Sequence, residues 1–171
     1  MQLNHEFYLR PVSPFDYMDI FKILQSTVVT KYLNFMPINN LFLTKKLVSE
    51  LYLHHLKKYP LTMAIVHKNS GSVIGIIGFY KYRQSNKSVE IEFYIDEEFM
   101  KKNIMTKALE LMLTYAFKSL KVKRIYLSHT KENTACKKLT VKFNFTFDYI
   151  EKNFMVKSGY KTDIYHYYLD N

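Results

Sequence analysis

Sulfur chemistry is nearly closed to this chain. Cys136 is its single cysteine, so no internal disulfide can form, and the composition fits a reducing compartment. No stretch approaches the roughly 18 uninterrupted apolar residues of a membrane helix. Residues 1–6 carry neither the basic run nor the apolar core of a signal peptide, so the expected location is cytoplasmic, away from membranes. Glycine is scarce, with four in 171 residues against a usual share of about 7%. Turns that ordinarily use glycine must therefore be built from other residues. Tryptophan is absent altogether.

What is present describes a soluble globular protein: 48% hydrophobic, 16% aromatic, mean hydropathy −0.19. The length suits a single domain over 1–171. A net charge of +10 and a pI near 9.5 favour an anionic partner: nucleic acid, an acidic membrane or a polyphosphate cofactor. The lysine pairs 45–46, 57–58, 101–102 and 137–138 are dispersed rather than gathered in a tail, and most read as solvated faces. No interleaving of aromatic and basic residues and no helix-turn-helix pattern stands out, which argues against nucleic acid.

Hydrophobic periodicity orders the chain as βααβββαβαββ. Phe7–Arg10 reads as a short strand stopped by Pro11. Ser13 with Pro14 starts a helix that runs to about Ser26. A second helix is expected from Thr44 to about Lys58, ended by Pro60. Strands follow at 61–67, 73–82 and 88–95, with turns at 69–72 and 85–86. A helix from Ile104 to Leu120, a strand over Arg124–Ser128, a helix from Asn133 to about Phe143, and strands at 145–156 and 162–169 joined by a turn at Ser158–Gly159 complete the order.

The most informative stretch runs from Ser88 to Leu120. An alternating strand leads through a basic loop, Met100–Thr106, into an amphipathic helix. Free backbone N–H groups at such a helix start form an anion site, and Lys101 and Lys102 add charge of the same sense. The chemistry points to a phosphorylated cofactor.

Order and residues together resemble the GNAT acetyltransferase superfamily, in particular its branch of ribosomal-protein N-terminal acetyltransferases. Leu9-Arg10-Pro11 is similar to the opening strand of that branch, and Glu90-Ile91 with Tyr94-Ile95 resembles its splayed central strand. Asn103 to Ala108 resembles the pyrophosphate loop and following helix; Asn133 to Cys136, with Leu139 and Phe145, the later helix that closes on the cofactor; and Gly159 to Asp163 with Tyr165 the final hairpin. The family loop reads Arg or Gln, two residues, Gly, one residue, then Gly or Ala. Here Met100, Asn103 and Met105 hold those places, and Asn144 replaces the glycine expected before Phe145. Asn tolerates left-handed backbone well, whereas Met105 at a close backbone approach is expected to crowd the phosphates.

The resemblance implies an α/β (α+β) fold with a mixed, mostly antiparallel splayed sheet and about four flanking helices. It also implies an enzyme that moves acetyl from acetyl-CoA to a primary amine, on a protein N-terminus or a small molecule, without a metal. By resemblance Tyr94, Ile95, Lys101, Lys102, Asn103, Ile104, Met105, Thr106 and Asn133 contact the cofactor. A base must take a proton from the ammonium, and the leaving thiolate needs one. Glu90 and Glu92 share one face of the central strand and are the base candidates, because Met155 stands where close relatives often carry a carboxylate. Asp148 and Glu151 are the substitutes. Cys136, in the family's serine place near a helix start, is expected to be an acidified thiol able to serve the leaving sulfur. The six histidines form no metal set; His129 is a lesser base candidate. Three alternatives stay open: a catalytically weakened CoA-binding or protein-interaction module, a homodimer, and the identity of the acceptor, for which the basic surface argues weakly against a polyamine.

Overall fold

The computed structural model describes residues 1–56, 61–157 and 160–171. Seven strands form one sheet in the order β1-β2-β3-β4-β5-β7-β6: β1 Phe7–Pro11, β2 Thr62–His67, β3 Val73–Arg83, β4 Ser88–Ile95, β5 Arg124–Thr130, β6 Thr146–Lys157 and β7 Tyr160–Asp170. Every neighbouring pair is antiparallel except β4 with β5, which is parallel. The helices are α1 Tyr17–Gln25, α2 Thr27–Thr30, α3 Leu41–Leu56, α4 Ile104–Lys118 and α5 Thr134–Lys142. This is the expected splayed α/β architecture, with four longer helices and one short turn of helix, α2, among the described residues.

Alternation along the strands builds two cores. Met63, Ile65, Ile77, Val89, Ile91 and Ile125 face α4, where Ala108, Leu109 and Met112 are fully buried. Ala64, Val66 and Ile76 face the other way, against Ile20, Ile23 and Leu24 of α1 and Val48 and Leu51 of α3. The period of two in the strands meets the helical period on both sides of the sheet.

The first helical segment starts as its sequence foretold. Ser13 Oγ accepts from the Phe15 N–H at 3.3 Å, and the Asp16 carboxylate accepts from the Ser13 N–H at 2.7 Å, a reciprocal cap. Arg10 closes on the same carboxylate with two bonds of 2.7 Å, so β1 and the start of α1 are tied through one buried acid. The second long helix begins at Leu41, three residues before the expected Thr44, because Asn40 Oδ1 accepts from the N–H groups of Phe42 and Leu43 at 2.9 and 3.3 Å. The expected helix end at Lys58 and Pro60 and the turn at Ser158–Gly159 lie outside the described residues. No described helix is long and apolar enough to cross a membrane.

Asp16 is 6% exposed and carries both the cap and the Arg10 pair. Removing one partner of such a pair leaves the other charge uncompensated. Asp16→Ala is expected to lower unfolding free energy by about 3 kcal/mol, read from the denaturant midpoint at unchanged m-value; a loss below about 1 kcal/mol would show that the pair is worth no more than a surface contact.

Candidate active site

The parallel seam between β4 and β5 is short. Ser88 pairs with Arg124, Val89 with Ile125 and Glu90 with Tyr126; beyond these the strands diverge, although β4 continues to Ile95 and β5 to Thr130. On its other edge β4 stays fully paired with β3 up to Ile95. That closeness requires Gly75, where a Cβ would sit 2.7 Å from the Tyr94 carbonyl oxygen. A cavity of about 670 Å³ opens where the strands part, walled by residues of β4, β5, the start of α5 and the β6–β7 pair. Residues 92–95 thus present an unpaired strand edge to it, the arrangement that accepts an extended ligand as an added strand. Tyr94 lines the cavity, whereas the Ile95 side chain is buried in the α4 core, leaving its backbone for such a contact.

The loop into α4 adopts left-handed backbone at Lys101 (φ 60°) and Asn103 (φ 58°). Asn103 therefore does the work of the missing glycine. Its side chain makes no capping bond, so the first-turn N–H groups of Ile104, Met105 and Thr106 lack intrahelical acceptors. Lys101 and Lys102 are exposed beside them, with Lys102 Nζ 5.0 Å from the centroid of Phe99. Met105 is half-buried, and its side chain packs against the α4 core.

Glu90 and Glu92 share a face but not a chemistry. A bulge in β3 between Tyr80 and Arg83, with Lys81 at φ 49°, brings two cations to Glu90: Lys81 Nζ at 2.9 Å and Arg83 Nη2 at 2.7 Å. Burial works against ionisation of Glu90, but these partners outweigh it and hold its carboxyl below the usual value. Glu92 has no hydrogen bond or ion pair among the described residues. Its side chain is exposed to the open cavity, yet protein crowds around it, and the partial desolvation this causes, more than the opposing pull of Lys81, raises its pKa.

At the start of α5, Asn133 Oδ1 accepts from the Cys136 N–H at 3.1 Å, the expected N-cap. Cys136 is buried, and desolvation pushes its thiol up to about 12. This corrects the expectation of an acidified thiol: the backbone N–H that would favour a thiolate already serves Asn133, and the apolar surroundings disfavour the charge. His129, next to it in the cavity wall, donates from Nδ1 to the Thr130 carbonyl at 2.8 Å. Tyr165 and Tyr167 stack near its ring, with centroids at 6.1 and 5.2 Å. Burial lowers its pKa, so the ring is neutral at neutral pH. His129 Nε2 and Thr130 Oγ1 are buried without partners among the described residues. Across the slot stand Asp148, without a described partner, and Glu151, whose carboxylate is 3.3 Å from His166 Nε2.

Lys81, Arg83 and Thr130 were not marked by sequence reasoning; the bulge and the splay that bring them in are tertiary events. Among the described residues no group of three His, Cys, Asp or Glu side chains is placed to hold a metal ion.

Residues 6–146 match the family model described as an acetyltransferase (GNAT) domain. The uncharacterized N-acetyltransferase p20 of Bacillus licheniformis is 26% identical over 137 residues, covering 80% of this chain and 77% of its own. The uncharacterized N-acetyltransferase YoaA of Bacillus subtilis (strain 168) is 22% identical over 159 residues, 92% of this chain and 90% of its own. Among solved structures, RimL, a ribosomal L7/L12 alpha-N-protein acetyltransferase in complex with coenzyme A, superposes with a TM-score of 0.88 at 21% identity, covering 99% of this chain and 96% of that one. A Salmonella typhimurium acetyltransferase that modifies the N-terminal serine of L7/L12 gives 0.86 at 20% identity, with 99% and 98% covered.

The depressed pKa of Glu90 carries a signed consequence. A carboxylate stabilised in the fold contributes above its unfolded value, 4.5, and loses that contribution as pH falls through the lower folded value. Glu90→Gln is expected to destabilise at pH 7 and to approach wild type in acid below 4.5, as followed by denaturant unfolding at both pH values.

Proposed function

The chain belongs to the GNAT acetyltransferase family, and from that membership we propose how its own residues carry out acetyl transfer. The enzyme moves acetyl from acetyl-CoA to a primary amine. The observation that carries the assignment of sites is the parting of β4 from β5 beside the uncapped start of α4. The pyrophosphate sits over the N–H groups of Asn103, Ile104, Met105 and Thr106, with Lys101 and Lys102 alongside. The pantetheine arm runs along the free edge of β4 and pairs with the backbone of Ile95, beside Tyr94 in the cavity wall, and Asn133 contacts it from the start of α5. The whole of 1–171 works as one domain, in the cytoplasm.

The amine meets the thioester in the cavity. Positioning does most of the work, but an ammonium must first lose a proton. Glu90 is neutralised by Lys81 and Arg83, so Glu92 takes that proton, through water. The amine attacks the thioester carbon, the C–S bond breaks, and the thiolate is protonated. Cys136, near 12, is too weak an acid to hand over its proton: against an ordinary thiol at about 8.5 the transfer runs uphill by roughly 5 kcal/mol. Its neutral S–H serves as a weak hydrogen-bond donor toward the sulfur, and the proton itself comes from the attacking nitrogen or from water.

The acceptor is a protein N-terminus, as acted on by the L7/L12 acetyltransferases, or a small-molecule amine. Against the rival reading, a catalytically weakened CoA-binding or protein-interaction module, count the left-handed turn that Asn103 supplies and the packing of Met105 against the core.

Thiol release from acetyl-CoA with an amine panel tests the reading; no turnover with any amine, despite cofactor binding, defeats it. Glu92→Gln is expected to lower kcat by about 10² to 10⁴, with partial recovery at high pH where the amine is already neutral. Acetyl-CoA at a hundred times its Kd should add about 2.7 kcal/mol of stability, and Lys102→Glu should shrink that thermal shift while leaving the KM of the acceptor nearly unchanged.

A further inference from the structure

The cavity has a charge of its own, opposite to that of the chain. The protein carries +10, yet the lining residues include four carboxylates, Glu90, Glu92, Asp148 and Glu151, against the two permanent cations Lys81 and Arg83. Both cations are spent on Glu90. Lysines elsewhere on the surface are screened over a Debye length of roughly 8 to 10 Å, so a ligand in the slot meets the local excess of negative charge.

A second observation points to the same kind of ligand. His129 Nε2 and Thr130 Oγ1 belong to residues 5% and 6% exposed in the cavity wall, and neither atom has a partner among the described residues. With Nδ1 committed as donor to the Thr130 carbonyl, Nε2 offers only a lone pair. A carbonyl, carboxylate or phosphate cannot satisfy it; an N–H can. The slot therefore offers a buried acceptor and an excess of carboxylates.

The acidic groups lie at two ends. Glu92 is on β4, whereas Asp148 and Glu151 are on β6, three strand positions away in the sheet order. At about 4.8 Å per step that is roughly 14 Å, before the splay widens it. Resting on the acetyltransferase reading above, we propose that the acceptor is an extended aliphatic diamine or polyamine, its reacting nitrogen at Glu92 and its second ammonium against Asp148 and Glu151. The basic surface had argued the other way; the local field of the slot decides against it.

The test is initial-rate thiol release at fixed ionic strength with 1,8-diaminooctane, octylamine and an N-terminal serine peptide, on wild type and on the Asp148→Asn/Glu151→Gln double variant. Both side chains are exposed, so the fold is expected to persist, checked by the unfolding midpoint. The diamine should exceed octylamine in kcat/KM by at least tenfold, its KM should rise with salt, and the double variant should bring the ratio close to one. Turnover of octylamine or the peptide as efficient as that of the diamine, or a ratio unmoved by the double variant, overturns this proposal and leaves the acetyltransferase reading intact. No release with any amine overturns both.

Discussion

Three residue pairs hold the parallel seam of the sheet, and what happens where they stop governs the rest of the molecule. A strand that loses its neighbour must find other partners for its backbone groups or leave them to solvent and ligand. Here β4 keeps β3 on one side and gives up β5 on the other. The free edge, the cavity beside it and the uncapped start of α4 follow in one line from that separation. Gly75 is its counterpart on the closed side, because only a residue without Cβ allows β3 to stay against the end of β4.

Charge in this molecule is arranged by backbone irregularity more than by composition. Glu90 and Glu92 are two residues apart on one face and occupy opposite regimes. The bulge at Lys81 turns two cations onto the first and none onto the second. The result is a paired carboxylate that holds strands together next to a lone one available for proton transfer. A straight β3 would place Lys81 on the other face.

Much of the fold was legible because its signals are local. The bounds of β4 follow from alternation, the Ser13 and Asn133 caps from residue type, and the loop before α4 from its charge and position. The short α2 went unseen because four residues carry no period, and α3 began early because Asn40 caps from a segment that reads as loop. The site was half visible. Glu92 and Asn133 line the cavity and Asn103 takes left-handed backbone, while the pairing of Glu90 with two cations depends on a bulge that no spacing announces. Cys136 shows the limit most sharply. Its nearness to a helix start is written in the sequence, but its burial comes from β7 and the core, and burial prevails. His129 and Thr130 matter only once the sheet has opened beside them.

Among the described residues seven that are not glycine hold left-handed backbone, and four of them are lysines: 81, 87, 101 and 121. In most chains such corners are glycines, and shape and electrostatics can be tuned separately. Here a corner is also a cation. Trading Lys81 for glycine would relax the bulge and remove a partner of Glu90 in one step; the same exchange at Lys101 would ease the loop and strip a charge from the entry to α4. Backbone geometry and local charge are thus joined at single codons, so a drift toward easier turns would also drain positive charge from the corners of the fold.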